Sequence, residues 1–309
     1  MSFSNEVRQE IYSTINDNDK KFACLYGMLI YCKSISRENI TLQTESSVTA
    51  RLFNELVKSV FKDKIHISVH ESVKKNNNKL YTCTITDKNE IDIVLKRYFI
   101  DVENRFINQE IVVNNSLGVF TAGVFLSCGS VNDPSKEYHL EFAAPCRRLA
   151  EELQLILLDI SVNAKIFVRK NMYVVYIKES ESIEDTLTYI GAQQCTIELM
   201  NVKIFKDVRN KANRLANCDS ANIDKVVNAA LKQIDNIKII AETVGLNSLT
   251  PELREVAELR LENTDMSLQE IGNSLKTPIS RSGINHRFKK LEKIANEIRE
   301  EMVQKNEKQ

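Results

Sequence analysis

One short apolar segment is written into this chain twice. Residues 22–32 read FACLYGMLIYC and residues 119–129 read VFTAGVFLSCG. Each has a glycine at its centre, Gly27 and Gly123, and a cysteine five positions later, Cys32 and Cys128. An apolar run of this length with no polar face predicts a helix that is buried all round. A central glycine removes the Cβ that would hold a second helix backbone away. The two segments therefore predict two helices that bury each other at their glycines, with the fold built around that pair.

The elements after each helix come in the same order. After the first, the pattern predicts a strand at 40–44 and then an amphipathic helix at 47–61, with Leu52, Phe53, Leu56 and Val60 at helical spacing. A hairpin follows, 65–70 and 80–85 joined by a turn at Asn76, Asn77 and Asn78, and then a helix over 90–99. After the second, a turn at 132–135 leads to a strand at 138–142 and a helix at 146–158 with Leu149, Leu153 and Ile156 on one face. A hairpin of 164–168 and 172–177 and a helix near 183–190 close it. The two glycines stand 96 residues apart, and the later elements keep nearly that offset. Five elements repeated in order indicate duplication. The expected fold is α+β: a pseudo-symmetric domain over residues 1–205 made of two αββαββα halves, about 1–105 and 106–205.

This arrangement resembles the LAGLIDADG homing endonucleases, whose motif ends in an acidic residue that holds a catalytic metal. Here both of those positions are cysteine, Cys32 and Cys128. Phosphodiester hydrolysis of that kind needs hard divalent cations on carboxylates, and a neutral thiol is a poor ligand for them. The nearby Asp133 falls in a turn beyond the second helix, and the first half has Lys33, Ser34, Ile35 and Ser36 where a partner acid is needed. The expectation is a nuclease scaffold without catalytic residues, metal or cofactor.

Beyond residue 192 the strand patterns stop. Residues 206–220 read as a linker, with Asp219 or Ser220 as the N-cap of a helix carrying Ile223, Val226, Val227 and Leu231. Gly245 is a stop, and Thr250 with Pro251 is a restart. Ser267-Leu268-Gln269-Glu270 is a capping box that opens a helix with Ile271 and Leu275 facing inward. Residues 276–279, with Pro278, break it, and Ser280 or Ser282 opens a third helix whose Ile284, Phe288, Leu291 and Ile294 form a buried stripe. This all-α region, 221–309, is similar to the helix-turn-helix of sigma-factor region 4, whose last helix enters the major groove.

Charge is segregated to match. From 276 to 293 the bases Lys276, Arg281, Arg287, Lys289, Lys290 and Lys293 are opposed only by Glu292, while the two preceding helices carry Glu252, Glu255, Glu258, Glu262, Asp265 and Glu270. A chain of zero formal net charge thus holds a locally cationic face suited to phosphate oxygens. The candidate DNA-binding residues are Lys276, Ser280, Arg281, Ser282, Asn285, His286, Arg287, Lys289, Lys290 and Lys293. By side-chain type, Arg281 and Arg287 suit guanine edges and Asn285 adenine, while Lys289 and Lys290 suit the backbone.

Other chemistry finds little support. The seven cysteines include no CxxC pair, so free thiols in a reducing cytoplasm are expected. His66 and His70 share a strand face without further ligands. There is no Walker loop, no GxGxxG and no nucleophile elbow. No apolar run is long enough for a membrane span, so no membrane partner is expected.

Three stretches make the resemblance specific. Residues 125–134, FLSCGSVNDP, followed by Tyr138 to Glu141, residues 213–222, NRLANCDSAN, and residues 279–287, ISRSGINHR, are similar to signatures of the WhiA family, along essentially the whole chain. That resemblance implies a degenerate LAGLIDADG domain joined to a C-terminal helix-turn-helix, and a non-enzymatic, cytoplasmic, nucleoid-associated protein of double-stranded DNA. The implied roles are transcriptional regulation, cell division and chromosome segregation, with sporulation in some relatives, and other regulators or division proteins as further partners. Two alternatives stand beside it: an assembly scaffold on the nucleoid, and an active homing-type endonuclease.

Overall fold

The computed structural model describes residues 2–74, 77–112 and 117–306. It divides into two compact units, Met1–Asp207 and Val208–Gln309.

The first unit opens with α1 (Phe3–Thr14), for which the repeat gives no signal, and α2 (Asn18–Ile30), which carries Gly27. Then come β1 (Ser34–Ile35), β2 (Ile40–Thr44), α3 (Ser47–Phe61), β3 (Ser68–Val73), β4 (Lys79–Ile85) and α4 (Lys88–Arg97). The second half repeats the order: α5 (Leu117–Cys128) with Gly123, β5 (Gly129–Val131), β6 (Leu140–Ala144), α6 (Arg147–Asp159), β7 (Lys165–Arg169), β8 (Met172–Ile177) and α7 (Ser180–Tyr189). Each half folds its strands into a four-stranded antiparallel sheet, ordered β1-β2-β4-β3 and β5-β6-β8-β7. Equivalent registers align, Leu42 opposite Cys83 in one sheet and Phe142 opposite Val175 in the other. The fold is the expected α+β duplication.

The two glycine helices explain the whole packing. In α2 every residue from Ala23 to Ile30 is buried, and in α5 every residue from Phe120 to Leu126. Over these stretches neither helix has a solvent face, because each lies between its own sheet and the other helix. A Cβ placed on Gly27 would sit 2.2 Å from the Phe120 carbonyl oxygen, and one on Gly123 would sit 2.1 Å from that of Cys24. Backbone therefore meets backbone at both glycines. The halves are further tied where the Tyr31 hydroxyl donates to the Leu149 carbonyl at 2.7 Å.

At two strands the edge moves from the sequence pattern for a physical reason. The first hairpin strand starts at Ser68 rather than 65, because Ile65 turns inward, 2 % exposed, while β3 is an edge strand with little alternation to read. β6 starts at Leu140 rather than 138, because Tyr138 leaves the ladder and takes the Lys206 ammonium over its ring at 4.7 Å. Asn77 adopts the left-handed conformation expected of a turn, with φ 64°, while Asn76 lies outside the described residues.

No break occurs at Asp219 or Ser220. The helix α8 runs unbroken from Gln193 to Thr243, 51 residues. A cap residue starts a helix only where the backbone leaves helical geometry, and the segment holds no glycine or proline to make it do so. Residues 206–220, expected as a linker, are helical throughout. Gly245, with φ 76°, ends the run. The second unit then adds a 3-10 turn (Leu246–Ser248), α9 (Pro251–Glu262), α10 (Leu268–Ser274) and α11 (Arg281–Asn306) around Ile237, Ile240, Val256, Ile271, Ile284, Phe288 and Leu291.

Candidate nucleic-acid interface

Local chemistry fixes the geometry of the α10–α11 turn. Ser267 accepts from the Glu270 amide at 3.3 Å, and the Glu270 carboxylate accepts from the Ser267 amide at 2.7 Å, so the capping box is closed in both directions. That backbone bond holds the Glu270 carboxyl below its ordinary range. Beyond α10 the chain doubles back tightly: the Ile279 amide donates to the Gly272 carbonyl at 3.1 Å. A Cβ on Gly272 would lie 2.5 Å from the Ile279 oxygen, so only glycine lets the turn close there. Glu255 of α9 accepts from the Lys276 amide at 2.7 Å, so one of the acids on the preceding helices serves as a clamp on the turn. Of the two candidate caps, Ser280 starts α11; its hydroxyl accepts from the Gly283 amide at 3.3 Å.

On α11 the side chains separate cleanly. Ile284, Phe288, Leu291, Ala295 and Ile298 are buried, while Ile294 is only half-buried at the edge of the stripe. Lys276, Ser280, Arg281, Ser282, Asn285, His286, Lys289, Lys290 and Lys293 are exposed, and Arg287 is half-buried. At about 100° per residue, Ser282, Asn285, His286, Lys289 and Lys293 form the centre of the outer face. Arg281 and Arg287 flank the buried stripe on opposite sides, about 120° apart. Two of the charges in this stretch are engaged within the unit: Glu292 pairs with Lys232 at 2.6 Å, and Lys293 with Glu297 at 3.8 Å. Among the described residues, no carboxylate pairs with the side chains of Lys276, Arg281, Lys289 or Lys290, so four cations remain available on one turn and helix.

Sequence reasoning missed Arg260, which underlies this motif. It is 2 % exposed, donates through Nη1 to the Met266 carbonyl at 2.6 Å and lies 5.4 Å from the Phe288 ring centre. Burial pushes its pKa down. It ties the α9–α10 turn to the underside of α11. Its place in an ordinary Leu-Arg-Leu run on α9 gave no signal.

In the first unit the positions of the motif acids are chemically silent. The Cys32 thiol is buried and donates to the Ser34 carbonyl at 3.1 Å, and burial pushes its pKa up to about 11. Burial raises the Cys128 thiol still further. Both therefore stay protonated and neutral at neutral pH. Two guanidiniums stand against the ends of the glycine helices. Arg105 donates to the Cys32 carbonyl at 2.9 Å, and Arg8 of α1 donates to the Gly129 carbonyl at 2.6 Å. Burial brings Arg8 down to about 10, which leaves it charged at neutral pH. Carbonyls at a helix C-terminus attract cations, and here arginine supplies them. Two neutral thiols beside two fixed positive charges do not fit a divalent metal. Asp133, beyond the second glycine helix, is spent in its own turn, accepting from the Ser135 amide at 2.8 Å. Neither arginine was legible in the sequence, since each is an isolated base brought in by tertiary structure. His66 does not join His70 in a site; its ring pairs with Glu90 at 2.6 Å.

Comparison with known proteins agrees with both units. Residues 29–100 match the WhiA N-terminal LAGLIDADG-like domain, 117–209 the WhiA LAGLIDADG-like domain and 212–295 the WhiA C-terminal HTH domain. The chain is 39 % identical to the probable cell division protein WhiA of Clostridium novyi, over 97 % of this chain and 99 % of that one. It is 36 % identical to its counterpart in Caldicellulosiruptor saccharolyticus, over 97 % and 96 %. The crystal structure of full-length WhiA from Thermatoga maritima superposes with a TM-score of 0.58 at 25 % identity, covering 96 % of this chain and 99 % of that one. Duplicated glycine helices, neutral thiols at their ends and a capped helix-turn-helix thus coincide with the matched domains, and the chain belongs to the WhiA family.

Proposed function

We propose that this protein binds double-stranded DNA through the outer face of α11 and performs no chemistry on it. The observation that carries the reading is the set of exposed, unpaired cations Lys276, Arg281, Lys289 and Lys290, presented by a turn and helix whose other side is locked into a core. Such a helix enters a major groove with its first residues toward base edges. Asn285 and His286 stand at the centre of that face, with Arg281 at its edge, and lysines further along meet phosphates.

The first unit supports the non-enzymatic half of the proposal. Cleavage requires a hard cation on carboxylates, and this scaffold offers protonated thiols and arginines in those places. The relatives carry the name of cell division proteins, and we extend that role here as a regulator or nucleoid-associated factor acting in cell division and chromosome segregation.

The test is an anisotropy titration of labelled duplex DNA with the full chain across a salt series. Each phosphate contact contributes about −0.9 to the slope of log affinity against log salt. Lys289→Ala and Lys290→Ala should each lower the slope by roughly 1 and weaken all sequences alike. Arg281→Ala should instead flatten the preference among sequences, by about 1–3 kcal/mol at one position. Unchanged binding in all three variants would remove α11 from the interface.

A further inference from the structure

The second unit holds a cleft that the DNA-binding reading does not use. It lies between the C-terminal part of α8 and the turn that joins α9 to α10, and its volume is about 660 Å³. Sites for small organic molecules span about 300–1,000 Å³. Val227, Ala230, Leu231 and Ile234, one face of α8 at helical spacing, form one wall, and Met266 and Leu268 belong to the other. Apolar side chains dominate both.

Two polar side chains that line this cleft lack partners. Arg260 is 2 % exposed and makes no ion pair among the described residues. A guanidinium has five N–H donors in a fixed fork. Nη1 donates to the Met266 carbonyl at 2.6 Å and to that of Thr264 at 3.4 Å. The Nε–Nη2 edge is left over: Nε is buried with no acceptor, and Nη2 makes no hydrogen bond among the described residues. A carboxylate meets such an edge with two parallel hydrogen bonds. Gln233 also lines the cleft, and its Oε1 is buried without a donor. A half-turn of that amide offers N–H donors in the same place.

Charge selects the occupant. Among the described residues lining the cleft, Lys225, Arg260 and Arg281 are basic and Asp265 alone is acidic. Lys225 and Arg281 are exposed and make no ion pair among the described residues. An uncharged apolar body would leave the Arg260 edge unmet, which is costly for a buried donor. A cation would face three bases. Apolar walls with a buried two-point donor and a basic mouth fit an apolar anion.

We propose that the cleft between α8 and the α9–α10 turn binds a small carboxylic acid with an apolar tail, its carboxylate on the Nε–Nη2 edge of Arg260. Arg281 both lines the cleft and opens α11, so an occupant competes with DNA for it. That consequence rests on the DNA-binding reading; the site itself does not.

The test uses the full chain without DNA and probes of one tail length below their micellar range: decanoate, decanol and decyltrimethylammonium. Calorimetric titration should show decanoate binding roughly tenfold or more tighter than the other two. Gln233→Glu should weaken decanoate and leave decanol unchanged, since only the anion meets the new charge. Arg260→Gln should bring decanoate down to the level of decanol. Arg260 also braces α11, so Ala230→Phe, which fills the cleft from a half-buried wall position, keeps the test valid if that variant fails to fold; it should abolish binding of decanoate and decanol alike. No decanoate binding up to on the order of 1 mM would overturn the site, as would binding unchanged in Ala230→Phe. Equal affinity for decanoate and decanol, or preference for the cation, would overturn the carboxylate assignment. Saturating decanoate should then weaken duplex binding by the wild type and not by Ala230→Phe; an unchanged wild-type affinity for DNA would overturn the competition alone.

Discussion

Gly27→Ala should destabilise the first unit, although alanine is the better helix former. The added Cβ meets the Phe120 carbonyl oxygen at 2.2 Å and the Val124 nitrogen at 2.9 Å, both backbone atoms that no rotamer change can move. An ordinary carbon–oxygen contact is about 3.3 Å, so α2 and α5 must separate by roughly 1 Å. A gap of that size forfeits a quarter to a half of each atom-pair attraction across it. For about 40 facing pairs at roughly 0.15 kcal/mol each, the loss is about 1.5–3 kcal/mol. Alanine's helix propensity returns about 1 kcal/mol, leaving a net loss of about 0.5–2 kcal/mol. In a unit of this size that lowers Tm by roughly 1–8 °C. Gly123→Ala meets the Cys24 oxygen at 2.1 Å and demands the same separation. The double variant should therefore cost much less than the sum of the singles. Calorimetry of the full chain, with hydrogen exchange of α2 and α5 assigning the transition, checks this. A raised Tm, or additive losses, would show that the two helices do not meet backbone to backbone.

Three further predictions follow from named groups. Ser267→Ala opens the capping box and should cost about 1 kcal/mol of second-unit stability, read by hydrogen exchange of α10; no change would mean the box is idle. Buried thiols make the first unit sensitive to alkali: Cys32 and Cys83 are raised to about 11, and Cys24 and Cys195 to about 12, from 9.0. Above pH 9 the unfolded thiols ionise while the folded ones stay neutral, so this stability is complete below pH 9 and drains away as pH rises toward 11–12; melting curves from pH 7 to 10.5 should show the loss, and Cys32→Ala should reduce the slope. Finally, Cys32→Asp with Cys128→Asp should not create a Mn²⁺ site, because Arg105 and Arg8 keep their carbonyls at the helix ends; tight binding seen by electron paramagnetic resonance would refute that.

Elements defined by a local rule could be read from the residues alone. The glycine helices, the bounds of α3, and the Ser267–Glu270 box each rest on spacing or on a short-range hydrogen bond, and each stands where the pattern puts it. Elements fixed from a distance could not be. β3 is an edge strand whose register comes from β4, α1 has no counterpart in the repeat, and α8 continues through Asp219-Ser220 because nothing else ends it. The candidate site divides in the same way. The exposed face of α11 follows from helical periodicity, whereas Arg8, Arg105 and Arg260 act on carbonyls of distant or turn residues that no periodicity announces.

A single titration bears most directly on whether this scaffold recognises DNA with α11 and leaves it whole. Full-length protein and a triple variant, Arg281→Ala, Lys289→Ala and Lys290→Ala, would be titrated onto duplex DNA in EDTA and in Mg²⁺, and the same samples run on a denaturing gel. Intact strands in both buffers, wild-type binding no stronger in Mg²⁺ than in EDTA, and at least a tenfold loss, about 1.4 kcal/mol, in the triple variant are the results expected. Strands cut only in Mg²⁺, or a triple variant that binds like the wild type, would contradict the account.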